Sequence, residues 1–299
     1  MTFALRRLPE ARLAAMARAY DAEARRRRRR FLLAAAAVAA LALLSGRVAQ
    51  VDPARFFAGI GNFFGYFGRL LTLESGPHAG RPVWTDPAEW FWGWRGWLAL
   101  LGDTLLIAWL GTLLGAAGAL CLCFAAAANL VPNPWLCGAA RRLLEICRTV
   151  PDIVFALVFV IAFGLGPLPG VLAIAIHSTG ALGKLFSELA ENADMGPVEG
   201  AAAAGGGWVS TVRFAVLPQV LPGFAGYALL RFEVNVRQAS VMGFVGAGGI
   251  GQDLIEAIRK FYYNDVAALL ALIIAAVVVI DLLTERLRHA LIGAAEGRA

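Results

Sequence analysis

The chain has 299 residues, of which 59% are hydrophobic and 16% charged, with a formal net charge of +6 and a mean hydropathy of +0.67. Water-soluble domains are about 45–50% apolar and about 25% charged. One water-solvated core of this size cannot bury so much apolar surface. The composition excludes an ordinary cytosolic enzyme, a disordered chain and a disulfide scaffold, and it makes lipid the expected solvent for much of the chain.

Residues 1–30 form a basic segment. Arg6, Arg7, Arg12, Arg18 and the run Arg25 to Arg30 all precede the first apolar stretch. Such a cluster reads as a cytoplasmic anchor against anionic lipid. No aromatic-interleaved basic surface accompanies it, so no nucleic acid is expected as a partner. The segment does not read as a cleaved signal peptide: the arginine run lies too deep, and the apolar run from Phe31 leads to Ser45-Gly46-Arg47 rather than a small-residue cleavage site.

A membrane span needs about 20 mostly apolar residues. Six stretches qualify: Phe31 to about Gln50, Trp97 to about Ala128, Leu143 to Gly164, Leu168 to about Leu189, about Val216 to Val236, and Val266 to Leu283. The first (31–50) is short and Ala-rich and reads as an accessory helix. Residues 51–97 read as a periplasmic or interfacial segment. Its aromatic, Gly-broken part, Phe56 to Leu71, is expected along the outer interface. Trp84, Trp90, Trp92, Trp94 and Trp97 belong at a membrane–water boundary. Gly111 and Gly115 frame a small-xxx-small face, for which packing within the chain is expected. Cys121, Cys123, Cys137 and Cys147 lack CxxC spacing, and no His pair completes a ligand set. They read as small buried hydrophobes, and no metal is expected.

The N-terminal arginines place that end inside. Counting spans then puts residues 51–96 outside, with Arg141 and Arg142 inside. The tail 286–299, carrying Arg286 and Arg288, is also inside, so both termini are cytoplasmic. One loop departs from the charge rule. From about Ala190 to Ala215 it carries Glu191, Asp194 and Glu199 against Arg213 alone, which suits a protein partner better than lipid. In it, a short Ala-rich helix is predicted to stop at Gly205, a second short helix to start near Ser210, and the next span to begin at Pro218. A helix-turn-helix between spans suits docking to a soluble partner; a plain connecting loop is the alternative. Gly246, Gly248 and Gly251 spell G-x-G-x-x-G, but an apolar helix precedes them and the position twenty after Gly251 is Ala271, not an acid. No phosphate-binding loop with a lysine occurs either, so the chain is expected to bind no nucleotide itself.

The loop resembles the EAA motif of ABC-importer permeases: Glu-Ala-Ala, three residues, Gly, nine residues, Ile, one residue, then Leu-Pro. Glu199, Ala201, Gly205, Leu217 and Pro218 fall in register, while Gly200 replaces the middle Ala and Ala215 replaces the Ile. The resemblance extends over roughly residues 98–285. The stretch opening Asp103-Thr-Leu-Leu-Ile-Ala-Trp resembles the start of the permease core. Arg148-Thr-Val-Pro151-Asp152, Gly180 through Glu188, and Arg237 through Gly251 are similar to the phosphonate (PhnE-type) branch. Methionine-type importers share much of the Gly-rich segment.

The resemblance implies an all-α polytopic membrane protein with about six transmembrane helices and the type I ABC importer permease fold, in the bacterial inner membrane. It implies a permease subunit, not an enzyme, with no cofactor of its own. Two permease copies would form the translocation path, ABC ATPase subunits would bind ATP and grip the coupling loop 190–218, and a periplasmic substrate-binding protein would deliver cargo. By the same resemblance Glu199 contacts the ATPase and Gly205 permits the turn. Phosphonates or related phosphorus oxyanions are the expected cargo. A methionine-type or other small-solute importer is the alternative, and an ion-coupled secondary transporter, which would show inverted repeats, is a more distant one.

Ionisable residues at membrane depth are functional candidates. Arg148 has Glu145 at i−3 and Asp152 at i+4, and Glu233 and Arg237 are i, i+4 partners. His177, Ser178 and Thr179 lie mid-span, and Asn235, Gln238 and Ser240 add amides and a hydroxyl. These residues either pair and face protein or line a path for an anion. Partly paired cations beside hydroxyls and amides would let a phosphonate pass, where a strongly basic site would trap it. Gly246, Gly248, Gly249 and Gly251 are read as a candidate gate segment.

Overall fold

The computed structural model describes residues 10–74 and 77–296. Arg6 and Arg7 of the basic segment, and the last three residues of the tail, lie outside them. The chain divides into two compact units, residues 1–66 and 67–299.

In the first unit, helix α1 (Glu10–Val48) carries the arginine run directly into the apolar stretch without a break. Ala, Leu and Arg are all strong helix formers, which favours this continuity. Phe31, Leu32, Leu33, Leu41, Leu43 and Leu44 are all exposed. A helix apolar all round and uncovered by protein is built for lipid. Helix α2 (Pro53–Leu70) starts at a proline, with the Asp52 carboxylate accepting from the Ala54 N–H at 2.9 Å.

The second unit begins with a short lead-in that tucks Leu73 and Val83 inside, then the single turn α3 (Pro87–Trp90), capped by Asp86. There follow α4 (Trp94–Ala126), α5 (Pro134–Thr149), α6 (Asp152–Phe163), α7 (Pro167–Glu191), α8 (Met195–Ala203), α9 (Trp208–Thr211), α10 (Leu217–Met242), α11 (Gly251–Arg259) and α12 (Tyr263–Glu296). Among the described residues the only β pairing is an isolated bridge between Thr72 and Pro82.

Among the described residues, five helical stretches are long and apolar enough to cross a membrane: within α1, α4, α7, the run Trp208–Val245, and α12. The predicted third span, Leu143 to Gly164, is not a single helix. It is split into α5 and α6 at an 83° bend, and the pair makes a sixth crossing only if counted together. Pro151 causes the break: it pushes Val150 into extended backbone (φ −77°, ψ 125°) and cannot donate to the turn before it. The fifth span also differs from expectation. It does not begin at Pro218; the chain is helical from Trp208 and passes through a π-turn at Val212–Val216 before α10. The widened turn sits just ahead of Pro218, where the missing N–H interrupts the i→i−4 ladder. The second short helix therefore starts two residues before Ser210.

Helices α4 and α7 pack closely through small residues. A Cβ on Gly111 would stand 2.6 Å from Ile174 Cγ2, and one on Gly115 would stand 2.5 Å from Ser178 Cβ. The small-xxx-small face is thus used within the chain. At one end, Phe124, Leu182, Phe186, Val216, Val220 and Phe224 form an apolar cluster, with Phe186 and Phe224 stacked at 4.1 Å between ring centres. Ile107, Ile174, Val236 and Met242 fill the middle. Cys123 and Cys137 are buried as expected, but Cys121 is exposed; it lies on the face of α4 turned from the core.

Candidate functional site

The loop at residues 190–218 is a bracket braced by hydrogen bonds. The Asp194 side chain caps α8 by accepting from the Gly196 N–H at 3.0 Å. Gln219 clasps the Asp194 backbone from the far side, accepting from its N–H at 2.9 Å and donating to its carbonyl at 3.2 Å. Glu191 pairs with Arg141 and accepts from the Ala128 N–H at 2.8 Å. Trp208 Nε1 donates to the Leu130 carbonyl at 2.9 Å, and Val198, Val212 and Ala215 bury their side chains in the adjoining apolar cluster.

The turn between α8 and α9 depends on glycine. Gly205 has φ +84°, and a Cβ on Gly206 would stand 2.7 Å from the Ala201 carbonyl oxygen, which accepts from the Gly206 N–H at 3.0 Å. Gly200 and Pro218 are exposed, while Ala201 and Leu217 are half-buried against the cluster. Glu199 is exposed, and its side chain has no hydrogen bond or ion pair among the described residues. The acidity of this loop is thus partly structural: Glu191 and Asp194 serve its own structure, while Glu199 stands exposed. Val209 (68% exposed) and Phe214 (72%) are further exposed residues of the same loop.

The residues singled out at membrane depth separate into distinct environments. On α10, Arg231, Asn235 and Gln238 follow i, i+4, i+7 spacing and share a face. Asn235 is fully buried; its Nδ2 donates to Thr112 Oγ1 at 2.8 Å and to Ser178 Oγ at 2.9 Å. Arg231 Nε donates to the same Ser178 oxygen at 3.2 Å, and its Nη2 reaches Gln238 Oε1 at 3.5 Å. The tight α4–α7 contact places Thr112 and Ser178 together for this network. Glu233 and Arg237 face another way: Arg237 is 2.6 Å from Glu233 and 3.2 Å from Asp281 of α12.

The remaining candidates are engaged locally. Ser240 Oγ donates to the Val236 carbonyl of its own helix at 3.0 Å, while Thr179 Oγ1 donates to the Ala175 carbonyl at 2.8 Å and also reaches the Gly115 carbonyl of α4 at 3.3 Å. His177 Nδ1 lies 3.1 Å from the Val150 carbonyl, tying α7 to the α5–α6 bend. Arg148 is exposed and 4.0 Å from Glu145. The expected Arg148–Asp152 pair is absent, because the bend at Pro151 removes the helical spacing it needs. Arg231, Thr112 and Asp281 went unnoticed in the sequence, and Asp152 was read only as a partner for Arg148; the polar stripe Arg231/Asn235/Gln238 was the available signal for the first.

The glycine segment after α10 follows a 3₁₀ turn, not a strand. Gly246, Gly248 and Gly249 all have positive φ, and Gly251 opens α11. The Ile250 N–H donates to Thr104 Oγ1 at 2.9 Å, docking the segment on α4.

One grouping of possible metal donors, not seen in the sequence, forms among the described residues: His78, Asp86 and Glu89, with donor atoms within 4.8 Å of one another. Both Asp86 oxygens already serve the lead-in, accepting from the Glu89 N–H at 3.1 Å and facing His78 Nδ1 at 2.9 Å. The Glu89 backbone bond, aided by His78, holds the Asp86 carboxyl below the usual carboxylate range.

Comparisons with known proteins agree with this architecture. The family described as binding-protein-dependent transport system inner membrane component matches residues 119–293. The phosphite transport system permease protein PtxC of Stutzerimonas stutzeri is 45% identical over 198 residues, 66% of this chain and 72% of that protein. The phosphate-import permease protein PhnE of Mycolicibacterium smegmatis is 40% identical over 211 residues, 71% of this chain but 38% of that protein. The putative cryptic phosphonate transport system permease protein PhnE2 of Escherichia coli K12 is 51% identical over 117 residues, 39% of this chain and 96% of that protein. Among solved structures, an inward-facing MetNI methionine ABC transporter has a chain with TM-score 0.57 at 21% identity, covering 69% of this chain and 98% of that one, a likeness of fold. The helical architecture and a family match over more than half its length place the chain in the binding-protein-dependent transport system inner membrane component family, as a multi-pass permease and not an enzyme.

Proposed function

We propose that the chain is the permease subunit of an ATP-driven importer for phosphorus oxyanions (phosphite, phosphate or phosphonates), working as a homodimer with a separate ATPase and a periplasmic binding protein. The observation that carries the coupling role is the bracket at residues 190–218: a braced helix-turn-helix that leaves Glu199 exposed and unpartnered. The printed roles of PtxC and the two PhnE proteins support the cargo class. In this reading both termini are cytoplasmic, α1 is an accessory anchor, and residues 51–97 lie on the periplasmic side. Glu199, Gly200, Ala201, Gly205, Leu217 and Pro218 meet the ATPase. The polar face of α10 borders the path, and the segment Gly246 to Gly251 gates it.

The test is reconstitution of the permease with its ATPase and binding protein in proteoliposomes, measuring uptake of phosphite, phosphate, methylphosphonate and methionine. ATP-dependent uptake of a phosphorus compound is expected. Uptake of methionine alone, or phosphorus uptake that continues without the ATPase, would overturn the reading.

A further inference from the structure

We propose that Arg231 is the residue of the membrane interior that engages the anionic cargo in transit. Ser178, Asn235 and Gln238 position its guanidinium. The inference rests on the phosphorus-oxyanion reading and adds the group that meets the cargo's charge.

The membrane-depth arginines are not equivalent. Arg237 is neutralised twice over, by Glu233 and Asp281. Arg148 is exposed beside Glu145. Arg231 is half-buried, and among the described residues no carboxylate lies within 4.0 Å of it. A desolvated cation without a paired anion is costly. A fold that retains one leaves an anion site open.

The donor inventory agrees. A guanidinium has five N–H donors in a planar fork. Here Nε is held by Ser178, and a single long contact from Nη2 reaches Gln238, so the outer edge of the fork keeps free donors. That edge matches two oxygens of a phosphorus oxyanion bidentately. Ser178 Oγ accepts from both Arg231 and Asn235. Ser178 is fully buried, so its hydroxyl holds the arginine from behind. Asn235 spends both amide hydrogens on Thr112 and Ser178, which fixes the hydroxyl that fixes the arginine. Two polar atoms here stay unsatisfied: Asn235 Oδ1 and Asp152 Oδ2 are buried without a hydrogen-bond partner.

Asp152 gives the site its second property. It stands just after the α5–α6 bend, where its charge acts on Arg231 from beyond contact distance. A remote carboxylate offsets part of the cost of the empty site and repels the cargo once bound. Conduction needs such a balance, with binding strong enough to admit the ion and weak enough to release it.

The test uses the full-length permease with its ATPase and binding protein in proteoliposomes, with radiolabelled phosphite as the probe and phosphate and methylphosphonate in parallel. R231Q is expected to raise KM for uptake at least about tenfold, the worth of a charged hydrogen-bonded contact. The thermal midpoint should stay as in the wild type. D152N is expected to shift KM the opposite way. R231K keeps the charge without the fork and should show a raised KM even if R231Q does not assemble. Wild-type KM in R231Q or R231K would overturn the proposal. So would R231Q and D152N both weakening uptake together with a lowered thermal midpoint, which is the behaviour of a mere brace between helices. A wild-type complex that moves methionine but none of the three phosphorus compounds would refute the cargo reading itself, and the inference with it.

Discussion

Replacing Gly205 by Ala perturbs one thing only. No atom lies within 4 Å of where the new Cβ would stand, yet φ is +84°. An L-residue pays about 1–2 kcal/mol for left-handed backbone. Gly207 is the internal control, with φ −70° and equally open surroundings, so Gly207→Ala should be close to neutral. If the ATPase grips the turn in this shape, Gly205→Ala lowers its affinity for the permease by a factor of about 5–30. Gly205→Asn should recover part of the loss, because Asn tolerates this region. The assay is a titration of detergent-solubilised permease with ATPase subunit on a biosensor surface. Equal affinities for the Gly205→Ala and Gly207→Ala permeases would refute the reasoning.

Three further outcomes are expected. Gly115→Ala places a Cβ 2.5 Å from Ser178 Cβ and 3.0 Å from the Ala175 carbonyl oxygen, so it should destabilise the solubilised permease by about 1–3 kcal/mol; Gly102→Ala, with open space around it, should not lower the thermal midpoint. Arg237→Leu leaves the Glu233 and Asp281 carboxylates unneutralised, at 22% and 38% exposure. Because both retain some solvent, its cost should fall at about 1–3 kcal/mol, below that of a fully buried pair, and Arg237→Leu with Glu233→Leu should regain part of it. The Asp86 carboxyl is held low by the Glu89 N–H and His78. Its contribution is therefore complete above the unfolded carboxylate value and is lost as pH falls through the lower folded value. Protection of the Glu89 amide against hydrogen exchange should persist at pH 5 and disappear only in stronger acid; the same acid transition in Asp86→Asn would remove Asp86 as its cause.

How far the fold could be read from the chain depended on the range of the interactions involved. Apolar length alone located α4, α7, α10 and α12, because lipid demands it locally. The turn at Gly205 was legible for the same reason: one residue's backbone freedom decides it. Pro151 also carried its signal in place, yet the apolar run around it masked the bend between α5 and α6. The interior site was less legible because its contacts are long-range. Arg231 and Ser178 are 53 positions apart, Arg237 and Asp281 44 apart. Pairing judged along one helix finds Glu233–Arg237 but cannot see that α4 and α7 meet closely enough to gather Thr112, Ser178 and Asn235. Glu199 was singled out by resemblance alone; the structure adds that it is exposed while its acidic neighbours are held by Arg141 and by the α8 cap.

In the proposed assembly an ATPase grips the bracket at residues 190–218 from the cytoplasm. The most direct measurement is site-specific cross-linking of Glu199→Cys, in a chain with Cys121, Cys123, Cys137 and Cys147 replaced, to the ATPase subunit in membrane vesicles. The expected result is a cross-link whose yield changes with ATP, and no labelling of the same cysteine by an impermeant maleimide added outside intact cells. Labelling from outside, or transport that proceeds with no cross-link at any stage of the ATP cycle, would contradict the account.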